Sequence, residues 1–137
     1  MSRAAVYLLS TRGIPLVIAL VTVVVFAPGL GNGFVDWDDG ANFLQNPDYR
    51  GLGWEHLQWM LTTPFLGHWT PLTWMTLGLD YLVWGMNPAG YHLTSILFHA
   101  VNAAVFYFVA LRLLGLAMAG FGEATLRLGA GVSALFF

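Results

Sequence analysis

The chain has 137 residues, 58% of them hydrophobic, 15% aromatic and 9% charged, with a mean hydropathy of +0.69. Ordinary soluble domains carry about 25% charged residues, so the composition points to a membrane protein before any motif is read. A net charge of −2 with no basic run argues against nucleic acid as a partner, and the absence of cysteine excludes a disulfide framework or a Cys metal site.

Residues 1–13 carry Arg3 and Arg12 and end at Gly13; residues 14–30 then read IPLVIALVTVVVFAPGL, 17 residues without a charge. As a helix this run covers about 25 Å, near the lower limit for a hydrocarbon core about 30 Å thick. Pro15 falls in the first turn, where a missing N–H costs little. A cleaved signal peptide has the same arginines and an apolar run. This run is long for an h-region, however, and no A-x-A site follows, which favours an uncleaved span. Arg3 and Arg12 place the N-terminus in the cytoplasm by the positive-inside rule. Residues 31–90 are then an extracytoplasmic loop. That loop holds six of the seven acids (Asp36, Asp38, Asp39, Asp48, Glu55, Asp80) against one base, Arg50, whereas four bases (Arg3, Arg12, Arg112, Arg127) and one acid, Glu123, lie outside it. A membrane between the two sets accounts for the split.

The Gly-, Asn- and Asp-rich stretch 31–53 reads as irregular. Residues 54–61 read as a short amphipathic helix with Trp54, Leu57 and Leu61 on one face, stopped by Thr62-Thr63-Pro64. Pro71 opens a second helix that runs to about Trp84. In it Thr73, Thr76 and Asp80 fall within about 60° and form a polar stripe facing protein or water. At about 21 Å this helix is too short to span and suits the membrane interface. Residues 92–111 read as the second span, with His92, Ser95, His99 and Asn102 within about 80° on one face, a stripe that should face the protein interior or a wet cavity. Residues 112–127 read as a cytoplasmic connection. A third apolar segment covers 128–137, half a helix, so the sequence reads as the front of a longer protein.

The candidate chemistry centres on Asp36-Trp37-Asp38-Asp39-Gly40. A carboxylate just outside the first span can act as a general base on an acceptor hydroxyl. Clustered carboxylates can equally hold a divalent cation such as Mg or Mn, and Asp-Asp-Gly is also ordinary turn chemistry. The four histidines match no compact metal-ligand pattern. His68 and Trp69, just before the second helix, suit either an aromatic belt anchor or contact with a lipid-linked phosphate or sugar.

Taken in order, NGFVDWDDGANFLQNP, WEHLQWMLTTPF and HWTPLTWMTLGLDYLVWGMNPAGYHLTSILFHAVNAAVF resemble the start of large bacterial membrane proteins with a multi-span N-terminal region followed by tetratricopeptide repeats. These are related to the eukaryotic transmembrane and tetratricopeptide repeat-containing O-mannosyltransferases. The resemblance covers about residues 14–137. It implies an all-α GT-C-like membrane fold, here two full transmembrane helices, the start of a third, and an extracytoplasmic loop with short interfacial helices. It also implies transfer of a sugar from a polyprenyl-phosphate-linked donor to an acceptor hydroxyl, often on protein. The family's paired acids match Asp38 and Asp39 as catalytic residues, with Asp36 as an extra neighbour. His68, Trp69, Pro71, Leu72, Thr73 and Trp74 match its H/N-W-x-P-L-T-W stretch, and Asp80 its L-D pair. Asp36, His68, Trp69 and Asp80 would thus support the donor. Thr70 stands where the eukaryotic relatives carry Arg, so no phosphate-gripping charge carries over there. The implied place is the bacterial inner membrane with 31–90 in the periplasm, among membrane lipids, a lipid-linked sugar and an acceptor protein. A different class of reading is a small non-catalytic membrane protein that assembles with a partner through the His92/Ser95/His99/Asn102 stripe.

Overall fold

The computed structural model describes residues 13–137; the Arg3/Arg12 pair that orients the expected N-terminus lies outside the described residues. Five α-helices lie among the described residues: α1 (Gly13–Phe26), α2 (Trp54–Thr62), α3 (Pro71–Trp84), α4 (Pro88–Ala117) and α5 (Glu123–Leu135). A 3-10 segment, Ala27–Gly31, continues α1, giving 19 apolar residues from Gly13 to Gly31. That stretch and α4 are long and apolar enough to cross a membrane, and only 22% of each apolar window is buried. The core helix of a soluble protein would be mostly buried. The architecture is consistent with part of a helical membrane protein.

The chain divides into two compact units, residues up to 27 with 95–137, and residues 28–94. In the first, Ile18 packs with Ala103, Tyr107 and Ala110 of α4 and Ala130 and Ala134 of α5. On α4 the buried positions in this unit are Ile96, Ala100, Ala103, Tyr107 and Ala110, spaced four, three, four, three. The small side chains let helix backbones approach closely, the packing available where lipid offers no hydrophobic drive. Two hydroxyls in this unit bond within their own helix: Thr22 Oγ1 donates to Ile18 O at 2.9 Å and Ser133 Oγ to Gly129 O at 2.9 Å. The interior stripe differs from the expected polar one. Ser95 and Asn102 are exposed, and His99 lies between the rings of Phe26 and Phe137, at 4.9 and 6.1 Å. Burial follows the small-residue face, because alanines cost nothing to bury and permit contact. Helix α4 also runs beyond the expected span at both ends.

The second unit is built on aromatic rings. Tyr49, Met60, Trp74 and Tyr91 form its core, with Phe34, Phe43, Trp59 and Phe65 packed around them. Helix α2 ends one residue beyond the predicted boundary and α3 lies on it, Pro71 supplying the first turn and Gly85 the end. The buried face of α2 is only partly the predicted one: Leu57 packs against the core and Met60 is fully buried, while Trp54 and Leu61 are 76% and 47% exposed. In a helix of nine residues the apolar spacing fixes the face weakly, and the position of Trp59 against Trp74, ring centroids 5.2 Å apart, decides it. Part of 31–53 is also more ordered than expected, since Gly40–Leu44 forms a π-helical turn.

At Gly78 the backbone of the preceding loop lies directly on α3. A Cβ there would stand 2.7 Å from Gly51 O and 3.0 Å from Tyr49 O. Neither backbone atom can swing away as a side chain would. Gly78→Ala should therefore destabilise the unit by about 1–3 kcal/mol, seen as a lower thermal midpoint in detergent. An unchanged midpoint would mean that the loop does not rest on this helix.

Candidate functional site

A cleft of about 610 Å³ opens in the second unit. Its polar wall consists of Asp38, Asn42, His68, Thr70 and Thr73, and its apolar wall of Phe43, Phe65, Leu66, Trp74 and Leu77. Three local structures bring these side chains together. The first is the turn after Trp37: Asp38 and Asp39 begin a helical turn that Gln45 N closes onto Gly40 O at 2.9 Å. This places Asp38 and Asn42, four residues apart on a helix-like turn, on one side. The second is a tight reversal at 65–68, where Phe65 and His68 exchange both backbone hydrogen bonds at 2.9 Å. Its central residues, Leu66 and Gly67, have φ of 47° and 81°, as in a type I′ turn. Leu66 in this conformation costs roughly 1–2 kcal/mol, and it lines the cleft. The third is the first turn of α3, which supplies Thr73 and Trp74.

The acids are not equivalent. Asp39 Oδ2 accepts the Val35 N–H at 2.8 Å, so this carboxylate closes the loop on its own backbone. Asp36 and Asp38 are both exposed, but only Asp38 lines the cleft. Trp69 is also outside the lining. Its ring is 60% exposed and its indole N–H donates to Leu61 O at 2.9 Å, satisfying one of the open carbonyls at the end of α2 and fixing the reversal to that helix. Asp80 lies on the buried face of α3, where Thr94 Oγ1 donates to its Oδ1 at 2.5 Å. Burial pushes its carboxyl above the ordinary carboxylate range, with the Thr94 hydrogen bond pulling the other way. Of the six sequence-predicted residues, the cleft thus gathers Asp38 and His68; Asp36, Asp39, Trp69 and Asp80 lie off its walls. Asn42 and Trp74 were not singled out as site residues. The indole N–H of Trp74, a ring 6% exposed, is buried without a hydrogen-bond partner. Spacing four residues on from Asp38 is the signal that would have found Asn42.

Among the described residues, no three His, Asp or Glu side chains come together in a way that could hold a metal ion. Asp39 is engaged with the Val35 N–H and only Asp38 lines the cleft, so the clustering in sequence does not form a cation cage in space.

The helices are consistent with part of a helical membrane protein, and the cleft holds a carboxylate and an imidazole in one recess. Comparison with known proteins gives one further fact. The chain is 34% identical over 101 residues to the protein O-mannosyl-transferase Tmtc1 of Drosophila melanogaster, a match that covers 66% of this chain and 11% of that protein. This supports a distant family relationship. No family model matches the chain, and no solved structure matches it.

The raised pKa of Asp80 sets a sign for the pH dependence of stability. A carboxyl that is harder to ionise when folded contributes stability below its unfolded pKa, and that contribution is lost as pH rises through the folded value. Asp80→Asn, which keeps an acceptor for Thr94 but cannot ionise, should therefore gain stability relative to wild type as pH rises above the ordinary carboxylate pKa of about 4. Thermal unfolding of both proteins at increasing pH checks this; a difference independent of pH would refute it.

Proposed function

We propose that this chain is the N-terminal part of a GT-C-type membrane glycosyltransferase that moves a sugar from a polyprenyl phosphate to an acceptor hydroxyl, on protein, with Asp38 as general base. The observation that carries this reading is the meeting of Asp38 and His68, from separate turns, in one cleft of about 610 Å³. The similarity to an O-mannosyl-transferase supports the choice of reaction. The cleft has what such a reaction needs. Asp38 takes the proton of the acceptor hydroxyl as its oxygen attacks the anomeric carbon. The bond from that carbon to the phosphate oxygen breaks, and the polyprenyl phosphate leaves with the electron pair. The His68 ring can donate an N–H to a phosphate oxygen, and the apolar wall gives a sugar ring a face to pack against.

In this reading the N-terminus is cytoplasmic and 31–90 is periplasmic, at a bacterial inner membrane. Leu72, Leu79 and Val83, on the outer side of α3, are 76%, 52% and 60% exposed. They fall within about 40° of one another on the helix, an apolar strip suited to lying in the lipid interface. Asp36 and Trp69, both exposed, would meet the donor outside the cleft, while Asp80 supports it by holding α3 to Thr94.

The test separates the paired acids in the full-length native protein. Asp38→Asn should lower transfer by about 10²–10⁴-fold and leave membrane insertion intact. Asp39→Asn should retain most transfer, because its amide oxygen can still accept from Val35 N–H, whereas Asp39→Ala should lose it. Wild-type transfer by Asp38→Asn would overturn the base assignment. Intact-mass spectrometry of source membranes should show a species well above 15.0 kDa with the same N-terminus; a product of 15.0 kDa would favour the partner-protein reading.

A further inference from the structure

Arg50 is the one base in the acidic stretch 31–90, and in a protein that handles a phosphate-linked donor it would be the obvious phosphate ligand. Its contacts point elsewhere. One terminal nitrogen donates to Phe43 O at 2.9 Å and to Leu44 O at 2.8 Å. These are the last carbonyls of the Gly40–Leu44 turn, the groups that a helical end leaves open and that a cation suits best. The guanidinium carbon lies 5.8 Å from the centre of the Tyr81 ring on α3, within cation–π range. The Arg50 N–H donates to Pro47 O at 3.1 Å, which fixes the backbone from which the side chain reaches. Nε is buried. The guanidinium is thus directed at the turn and at α3, and Arg50 is not among the residues lining the cleft.

The turn that Arg50 closes begins at Asp38. It is held at its start by the Asp39 carboxylate on Val35 N–H and at its end by Arg50. Helix α3, on which Arg50 rests, carries Thr73 and Trp74, which line the same cleft. We propose that Arg50 is a positioning residue that sets Asp38 against the α3 wall of the cleft by pinning the C-terminal end of its turn; its link to catalysis rests on the glycosyltransferase reading above. Lysine does not replace it. An ammonium can reach a carbonyl, but it has no planar face to lay on Tyr81 while doing so.

The experiment compares wild type, Arg50→Gln, Arg50→Lys and Tyr81→Leu in the full-length native protein in nanodiscs. Two readouts are taken: hydrogen exchange in peptides covering 38–45, and steady-state sugar transfer with a polyprenyl-phosphate sugar. For Arg50→Gln the expected result is faster exchange in 38–45, a fall in kcat of about tenfold to a hundredfold and an unchanged KM for the lipid donor. Arg50→Lys should restore little of the loss, and Tyr81→Leu, which removes only the ring, should shift both readouts in the same direction by less. A raised donor KM with unchanged kcat, partly rescued by Lys, would overturn the proposal in favour of a phosphate contact. Unchanged exchange in 38–45 would overturn the pin whatever the kinetics. A wild-type protein with no transfer would instead overturn the glycosyltransferase reading, and the catalytic half of this proposal with it, while the exchange data still decide the pin.

Discussion

The loop backbone at 49–51 lies against helix α3 at a distance that glycine alone permits, with Gly51 O 2.7 Å and Tyr49 O 3.0 Å from where a Gly78 Cβ would stand. The rest of the unit follows from that approach. With its backbone seated there, Tyr49 is wholly buried, its ring 6.0 Å from both Phe43 and Trp74. Its neighbour Arg50 is then carried over Tyr81 and within reach of the Phe43 and Leu44 carbonyls. His56 on α2 meets the same segment through Asp48 O at 2.8 Å. An otherwise irregular stretch thereby has its backbone groups satisfied by fixed partners, which buried polar backbone requires.

The two units reach stability by different chemistry. In residues 28–94, helices of nine and fourteen residues are too short to bury much aliphatic surface, and rings of about 150–250 Å² each compensate. Their polar tips are also placed: Tyr49 and Tyr91 hydroxyls lie 3.1 Å apart, and Tyr91 donates to Gly85 O at 2.9 Å. In the other unit the contacts are made mostly by alanines, with Ile18 and Tyr107 among them, and the large side chains Leu97, Val101, Val105 and Val109 remain exposed. Rings with a polar handle suit a body that meets water. Small residues inside and large apolar ones outside suit helices that meet lipid.

This difference also explains what the sequence discloses. Helices 54–62 and 71–84 were legible almost to the residue, because Gly53, Thr63-Pro64, Pro71 and Gly85 act locally on the backbone. The inward face of α2 was legible only in part, since it depends on Trp59 meeting Trp74 from a distant segment. The polar stripe His92/Ser95/His99/Asn102 was a true periodicity, but a second one, Ile96/Ala100/Ala103/Tyr107/Ala110, runs along the same helix and takes the interior. In the site, the crowding of acids marked the segment that gives the cleft its one carboxylate. Which acid faces the cleft was not legible, because the assignment turns on one hydrogen bond from Val35 N–H. Nothing in the spelling of Arg50 shows that its partners are carbonyls seven and six residues back.

The acids of 31–90 therefore look alike in sequence and differ in their surroundings. Asp80 is held by Thr94 away from water. Asp39 accepts a backbone N–H, and a carboxylate engaged in holding a turn cannot change its partner during a reaction without loosening that turn. Asp36, exposed like Asp38, lies outside the lining of the cleft. Among the described acids Asp38 alone stands in the recess, with the two ends of its turn fixed by Asp39 and Arg50. The neighbouring charges, Asp39 and Arg50, one negative and one positive, are the groups that hold that turn. Their cost is low because each bonds to backbone atoms that an irregular turn would otherwise leave open.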